Sequence, residues 1–144
     1  MIRYDASGVG FFAPYAKPSD WSEMSPADLE RLLTVLCGRP ENDVVVLDVP
    51  FAFDGAAWQA LRMASRILLV CGDDETSRAK LRRVQDALDA AEPGGLLRRV
   101  SVLGNRDAVL PGASGSLPLF AQAREPRALV EEMARHKLIQ TFAR

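Results

Sequence analysis

Apolar and polar residues alternate along the chain in blocks, and each block predicts a strand or a helix. Residues 8–14 (GVGFFAP) are a short apolar run closed by proline, which predicts a strand. Ser25 and Pro26 predict the start of a helix, because serine caps a helix and proline fits its first turn. Leucines recur at helical spacing after this start until Gly38, where we expect the helix to end.

Three further runs have the composition of strands that are buried on both faces of a parallel sheet. The runs are 43–49 (DVVVLDV), 66–72 (RILLVCG) and 99–104 (RVSVLG), and β-branched and aliphatic residues dominate them. Apolar residues at helical spacing lie between the runs, at 57–64 and 81–91. Strands and helices therefore alternate, which is typical of a parallel sheet with helices on both faces.

The end of the chain fits the same pattern. Residues 107–118 are rich in glycine, serine and proline and predict a loop, and 117–120 predict a short last strand. Glu125 and Pro126 predict the start of a final helix. We therefore expect one three-layer α/β/α domain over residues 1–144, with a mainly parallel sheet.

Composition and charge narrow the class of protein. The formal net charge of −1 gives no general attraction to nucleic acids or membrane surfaces. The two cysteines, Cys37 and Cys71, belong to no CxxC pair, so we expect buried thiols in a reducing cytoplasm and not a zinc site. No apolar run approaches the ~20 residues that a membrane helix needs. We therefore expect a cytoplasmic protein.

Two basic segments bear on the choice of partner. The cations of 78–83 are balanced by Asp86 and Asp89, which predicts a solvated helix face and not a specific nucleic-acid site. The tail 134–144 (ARHKLIQTFAR) carries only a narrow apolar stripe, so we expect it to pack on the domain and not to bind a membrane.

Polar residues directly after the predicted strands form the candidate site, because ligands of open α/β sheets bind beyond the carboxyl ends of the strands. Asp48 ends the first buried run, where a carboxylate can hold magnesium or accept a proton; the alternative is a cap of the following turn. Asn105 either reads a purine edge with its amide or is a turn residue with a left-handed backbone. Asp74 or Thr76 is expected to cap the next helix.

The order of these segments resembles the MinD/ParA family of deviant-Walker ATPases. VVVLDVP (44–50) is followed by a short helix that ends in Ala-Ser-Arg, then ILLV, a second helix and VSVLGNR (100–106), as in that family. Residues 3–33 resemble the same region of its CpaE/TadZ branch, which serves pilus assembly and localisation. The resemblance covers the chain from Arg3 to Arg106 and is loose after that.

The resemblance implies a P-loop NTPase-like fold, ATP and magnesium as cofactors, and dimerisation that depends on ATP. It implies that Asp48 is the catalytic carboxylate near magnesium and the γ-phosphate. Pro50 and the loop to Asp54 would respond to nucleotide, and Asn105 would read adenine with Arg106 beside it. The implied partners are a second copy or a larger parent protein, and the pilus or secretion machinery.

The chain departs from this family in one large respect, since it has no GxxxxGK[ST] phosphate loop. Its lysines are Lys17, Lys80 and Lys137, and none follows a glycine. Phosphate binding needs backbone N–H groups from a glycine-rich loop together with a lysine, so we expect no ATP hydrolysis by this chain alone. The missing strand is central in the family's sheet. Its loss predicts exposed strand edges or a gap, covered by a rearranged sheet, an oligomer or a longer parent chain.

Two other functions fit the sequence. In the first, the fold survives as a non-catalytic module for protein interaction or dimerisation and binds no nucleotide. In the second, the chain is a receiver-like signalling domain with Asp48 as phosphoacceptor, although no acidic pair follows the first strand and no lysine follows a late one.

Overall fold

The computed structural model describes residues 2–4, 8–12, 23–48 and 54–118, together with Ala128, Glu131 and Arg135. The helices and strands are β1 Ile2–Tyr4, β2 Gly10–Phe12, α1 Pro26–Cys37, α2 Gly55–Met63, β3 Ile67–Cys71, α3 Glu75–Ala91, β4 Val100–Gly104 and β5 Gly115–Ser116, with a 3₁₀ turn at Leu97–Arg99. The chain divides into two compact units, Met1–Met63 and Ala64–Arg144. The predicted α/β class is confirmed, and the single domain stays a prediction.

The first unit begins with a short antiparallel hairpin. β1 pairs with β2, with Ile2 opposite Phe12 and Tyr4 opposite Gly10. The sequence predicts β2 but not β1, and it predicts no antiparallel pair. The two strands are antiparallel because they lie close together in the sequence. A few residues suffice to join antiparallel strands, whereas parallel strands need a long crossover.

α1 begins and ends where the sequence predicts. The hydroxyl oxygen of Ser25 accepts a hydrogen bond from the backbone N–H of Asp28 at 3.2 Å, which satisfies one of the unpaired donors of the first turn. Pro26 occupies the first turn, and Gly38 caps the carboxyl end. Local signals therefore fix both ends of this helix.

The core of the first unit lies between α1 and α2. Its buried residues are Leu29, Leu33, Ala56 and Ala60, and the partly buried Met24 and Val45 pack against them. The helices approach closely at Gly55, because a Cβ at this position would lie 2.9 Å from the Pro26 side chain. The helix predicted at 57–64 is confirmed, and its bounds are Gly55–Met63.

The strand predicted over 43–49 is wrong for the residues that the structure describes. Residues 44–48 have no regular secondary structure, and Val44 and Val46 are 69% and 83% exposed. A strand exists only when its backbone pairs with a neighbour, and no strand of the described residues pairs with this run. The apolar composition marks a segment suited to a sheet, but it does not supply the partner.

The second unit is built on a three-stranded parallel sheet in the order β3-β4-β5. β3 and β4 pair along their whole length, and α3 connects them as the sequence predicts. Leu88 of α3 is fully buried. β5 is short and begins at Gly115, inside the predicted loop and two residues before the strand predicted at 117–120. A mainly parallel sheet is therefore confirmed for this unit.

The two faces of β3 differ in burial. Cys71, Val102 and Leu110 form the core on the covered face. Side chains alternate along a strand, so Leu68 and Val70 point to the other face, where they are 44% and 55% exposed. The prediction that β3 is buried on both faces is wrong at Leu68 and Val70, although Leu103 of β4, which is paired with Val70, is buried.

The two thiols differ in their surroundings. Cys71 is buried, as predicted, and burial raises the pKa of its thiol. Cys37 is exposed at the end of α1, so the prediction of a buried thiol is wrong there. Cys37 lies four residues after the buried Leu33, on the same face of α1, but it is the last residue of the helix.

The described residues of the last segment agree with the predicted final helix. Ala128, Glu131 and Arg135 are helical and exposed, and the rest of the tail lies outside the described residues. Among the described residues, we find no helix with the length and apolar content needed to cross a membrane.

Candidate functional site

The carboxyl ends of β3 and β4 lie side by side. Cys71 and Gly104 are paired in the parallel register, and the backbone N–H of Asn105 donates to the Cys71 carbonyl oxygen at 2.8 Å. This hydrogen bond extends the ladder one residue beyond β4. It holds the backbone of Asn105 next to the end of β3, so Asn105 lies at a strand tip, as the sequence predicts.

A tight turn follows Asn105. The backbone N–H of Ala108 donates to the Asn105 carbonyl oxygen at 3.1 Å, and the two residues between them have positive φ angles, 53° at Arg106 and 61° at Asp107. This is the pattern of a type I′ turn, which usually contains glycine or asparagine. The left-handed residues are therefore Arg106 and Asp107, and the alternative that Asn105 itself is left-handed is wrong.

Gly104 makes this turn possible. A Cβ at position 104 would overlap the carbonyl oxygen of Ala108, and it would lie 3.2 Å from the Cβ of Ser116 in β5. Two further backbone hydrogen bonds close the loop, from Leu117 to the Gly104 carbonyl at 2.7 Å and from Asp107 to the Leu117 carbonyl at 2.8 Å. This role of Gly104 was missed from the sequence, although a glycine that ends a strand before a turn is a signal of close backbone approach.

The side chains at this tip are available to a ligand. Asn105 and Arg106 are exposed, and neither side chain makes a hydrogen bond or an ion pair with another described residue. The Asn105 amide retains both a donor and an acceptor, which is what contact with a base edge requires. Its role in reading adenine stays a prediction.

Asp48 does not lie at a strand tip. It is exposed, it follows the irregular run 44–47, and it makes no hydrogen bond or ion pair with another described residue. No group of three or more histidine, cysteine, aspartate or glutamate residues within metal-binding reach occurs in the described part of the chain. The metal and catalytic roles of Asp48 stay predictions, and Pro50 lies outside the described residues.

Asp74, at the tip of β3, caps α3 as expected. Its carboxylate accepts hydrogen bonds from the backbone N–H of Ser77 at 2.9 Å and from the Ser77 hydroxyl. These hydrogen bonds stabilise the charged form and lower the pKa of Asp74. The neighbouring Asp73 is exposed and carries no described partner.

Carboxylates also occupy the amino ends of the other two described helices. Asp54 caps α2, because its Oδ1 atom accepts a hydrogen bond from the backbone N–H of Ala57 at 2.7 Å. Asp28 lies in the first turn of α1, where the Ser25 hydroxyl donates to it at 2.6 Å and lowers its pKa. The resemblance places Asp54 at the end of a nucleotide-responsive loop, and its cap role was missed.

This arrangement does not fit the phosphates of ATP. Phosphates bind at helix amino ends through free N–H groups and the positive end of the helix dipole. At α2 and α3 a carboxylate already accepts one of these N–H groups, and α1 has an acidic first turn. Each of the three helices whose amino ends the structure describes, α1, α2 and α3, therefore presents negative charge where a phosphate would bind.

Comparison of the sequence with models of known protein families finds no match. Comparison with curated proteins finds no significant match either. The resemblance to the MinD/ParA family therefore rests on the residues quoted above and stays a prediction.

Proposed function

We propose that this chain is the part of a MinD/ParA-type protein that lacks the phosphate loop, that it serves pilus assembly or protein localisation through protein contacts, and that it does not hydrolyse ATP by itself. One observation carries the proposal. The tips of β3 and β4 present a free Asn105 amide at the edge where nucleotide-binding sheets hold their ligand, while the described helix amino ends carry carboxylates.

The absence of turnover follows from electrostatics. Phosphoryl transfer depends almost wholly on positioning and on neutralising charge on the phosphates. A carboxylate cap places negative charge within a few ångströms of any phosphate at that helix end, and the sequence has no phosphate-loop lysine to offset it. The base end of an ancestral site is therefore kept while the phosphate end is closed.

A steady-state assay of phosphate release from ATP and magnesium tests this proposal. We expect no turnover above the background of buffer and of a heat-denatured sample. Asp48→Ala provides the control for contaminating ATPases, because a contaminant is unaffected by this substitution. Steady turnover that Asp48→Ala removes would overturn the proposal.

A calorimetric comparison of adenosine with ATP and magnesium tests the two ends separately. If only the base end is kept, both ligands bind alike, with millimolar affinity or weaker, and Asn105→Ala reduces any binding of both. If a phosphate site exists, ATP binds far more tightly than adenosine. Low micromolar binding of ATP would contradict the proposal.

A pure interaction module that binds no nucleotide is the second candidate. The specific observation in its favour is the exposure of the neighbouring Leu68 and Val70 on β3, since exposed apolar surface marks protein contact sites. No binding of either adenosine or ATP would favour this second function over the first. In the receiver-like alternative Asp48 would be a phosphoacceptor at the end of a strand, whereas Asp48 follows an irregular run in the described residues.

A further inference from the structure

The edge of β3 that faces away from β4 is open in the described part of the chain. β3 pairs with β4 and with no other described strand. The Cys71 carbonyl points toward β4, where it accepts from Asn105. Backbone groups alternate in direction along a strand, so the N–H and carbonyl groups of Leu68 and Val70 point to the open edge.

This edge lacks the features that proteins use to prevent strand pairing. Edge strands are usually interrupted by a charged residue, a proline or a bulge. β3 consists of ILLVC, without charge or proline, and pairs with β4 in unbroken register. Its Leu68 and Val70 side chains are also exposed. Both the backbone and the side chains of β3 are therefore suited to one more strand.

The charges at the two ends of β3 select the direction of that strand. Arg66 precedes the strand and Asp73 follows it; both are exposed, and neither has an ion-pair partner among the described residues. A parallel copy of β3 would place like charges together. An antiparallel copy places Arg66 near Asp73 of the other chain, at both ends of the pair.

We propose that β3 pairs with β3 of a second copy of this chain, antiparallel about a two-fold axis at Leu69, so that the two sheets join into one. Leu68 then lies opposite Val70 of the second copy, and their edge-directed backbone groups exchange hydrogen bonds. The same residues contribute from both chains, as a two-fold interface requires. This inference goes beyond the proposed function and does not depend on nucleotide binding.

Sedimentation velocity of the full chain over a series of concentrations tests the interface. We expect a concentration-dependent dimer. Arg66→Glu places like charges together at both ends and should raise the dimer dissociation constant about tenfold. Asp73→Lys should act in the same way. The double variant Arg66→Glu with Asp73→Lys restores opposite charges and should restore the dimer.

A second pair of variants tests the backbone pairing. Val70→Pro removes an N–H that points to the open edge and no N–H that bonds to β4, so the fold should remain while the dimer weakens by more than tenfold. Val70→Thr keeps the N–H and serves as the matched control, with a smaller effect. Far-UV circular dichroism confirms that both variants are folded.

Three outcomes would overturn this inference. One is a monomer at high micromolar concentration, which would show that the edge is unused or is covered by the same chain. Another is a dimer that Val70→Pro leaves unchanged. The third is a charge-swap double variant that dimerises no better than the single variants. The nucleotide assays of the proposed function are independent of all three results.

Discussion

Gly104→Ala tests whether the strand tip depends on close backbone approach. The added methyl group would overlap the Ala108 carbonyl oxygen, which belongs to backbone and cannot rotate away. The turn that holds Asn105 must therefore open. We expect the free energy of unfolding to fall by about 3 kcal/mol, from overpacking of about 1–3 kcal/mol and one or two lost hydrogen bonds of about 1 kcal/mol each.

Gly72→Ala is the matched control, because Gly72 directly follows the neighbouring strand β3. A Cβ there would lie 3.1 Å from a carboxylate oxygen of Asp74 and 3.4 Å from the Ser77 hydroxyl. These are side-chain atoms that can move by a few tenths of an ångström. We expect a loss of about 1 kcal/mol or less.

Urea unfolding followed by far-UV circular dichroism measures both variants. Tryptophan fluorescence is unsuitable, because the sequence of the second unit, residues 64–144, contains no tryptophan. Hydrogen exchange of residues 100–117 locates the effect: Gly104→Ala should lose protection in this segment, and Gly72→Ala should keep it. Equal stability of the two variants would refute the argument from close approach.

Three further predictions follow from burial and pKa. Leu88→Ala removes a fully buried side chain and should lower the free energy of unfolding in urea by about 3 kcal/mol. Leu68→Ala changes a residue that is 44% exposed and should lower it by less than half as much. Equal losses would contradict the assignment of Leu88 to the core. Hydrogen bonds lower the pKa of Asp74 below its ordinary value of 3.8, so its stabilising effect on α3 is present above that value and is lost as the pH falls through the lower pKa of the folded state. A pH titration of helix content should therefore show a smaller acid loss for Asp74→Asn, which keeps a cap without titrating, and an identical acid transition would contradict the cap. Brief alkylation of the native chain followed by peptide mass spectrometry should modify Cys37 and spare Cys71 until urea is added; early modification of Cys71 would contradict its burial.

Local signals predicted the helices and the strands of the second unit well. Ser25 and Asp74 cap their helices as expected, because a cap needs only the residue itself and an N–H two or three positions away. β3 and β4 also lie where their apolar runs predict, with a helix between them. These features depend on neighbours in sequence, which a single chain displays directly.

Features that depend on distant partners were not predictable. Residues 44–48 have the composition of a buried strand, yet no described strand pairs with them, and composition does not reveal whether a partner exists. The exposure of Leu68 and Val70 has the same cause, because it depends on what covers the sheet. Asn105 was located at a strand tip, but the left-handed turn after it depends on how close Gly104 comes to Ala108.

The carboxylates at the amino ends of α2 and α3 are the feature that most directly excludes ATP phosphates, and an NMR titration tests them. Backbone amide shifts of the ¹⁵N-labelled chain are followed as ATP and magnesium are added. We predict no saturable shift at Ala57 and Ser77, whose N–H groups donate to Asp54 and Asp74. Any small shift should be confined to Asn105 and its turn. Saturable shifts of the Ala57 or Ser77 amide at micromolar ATP would contradict the account.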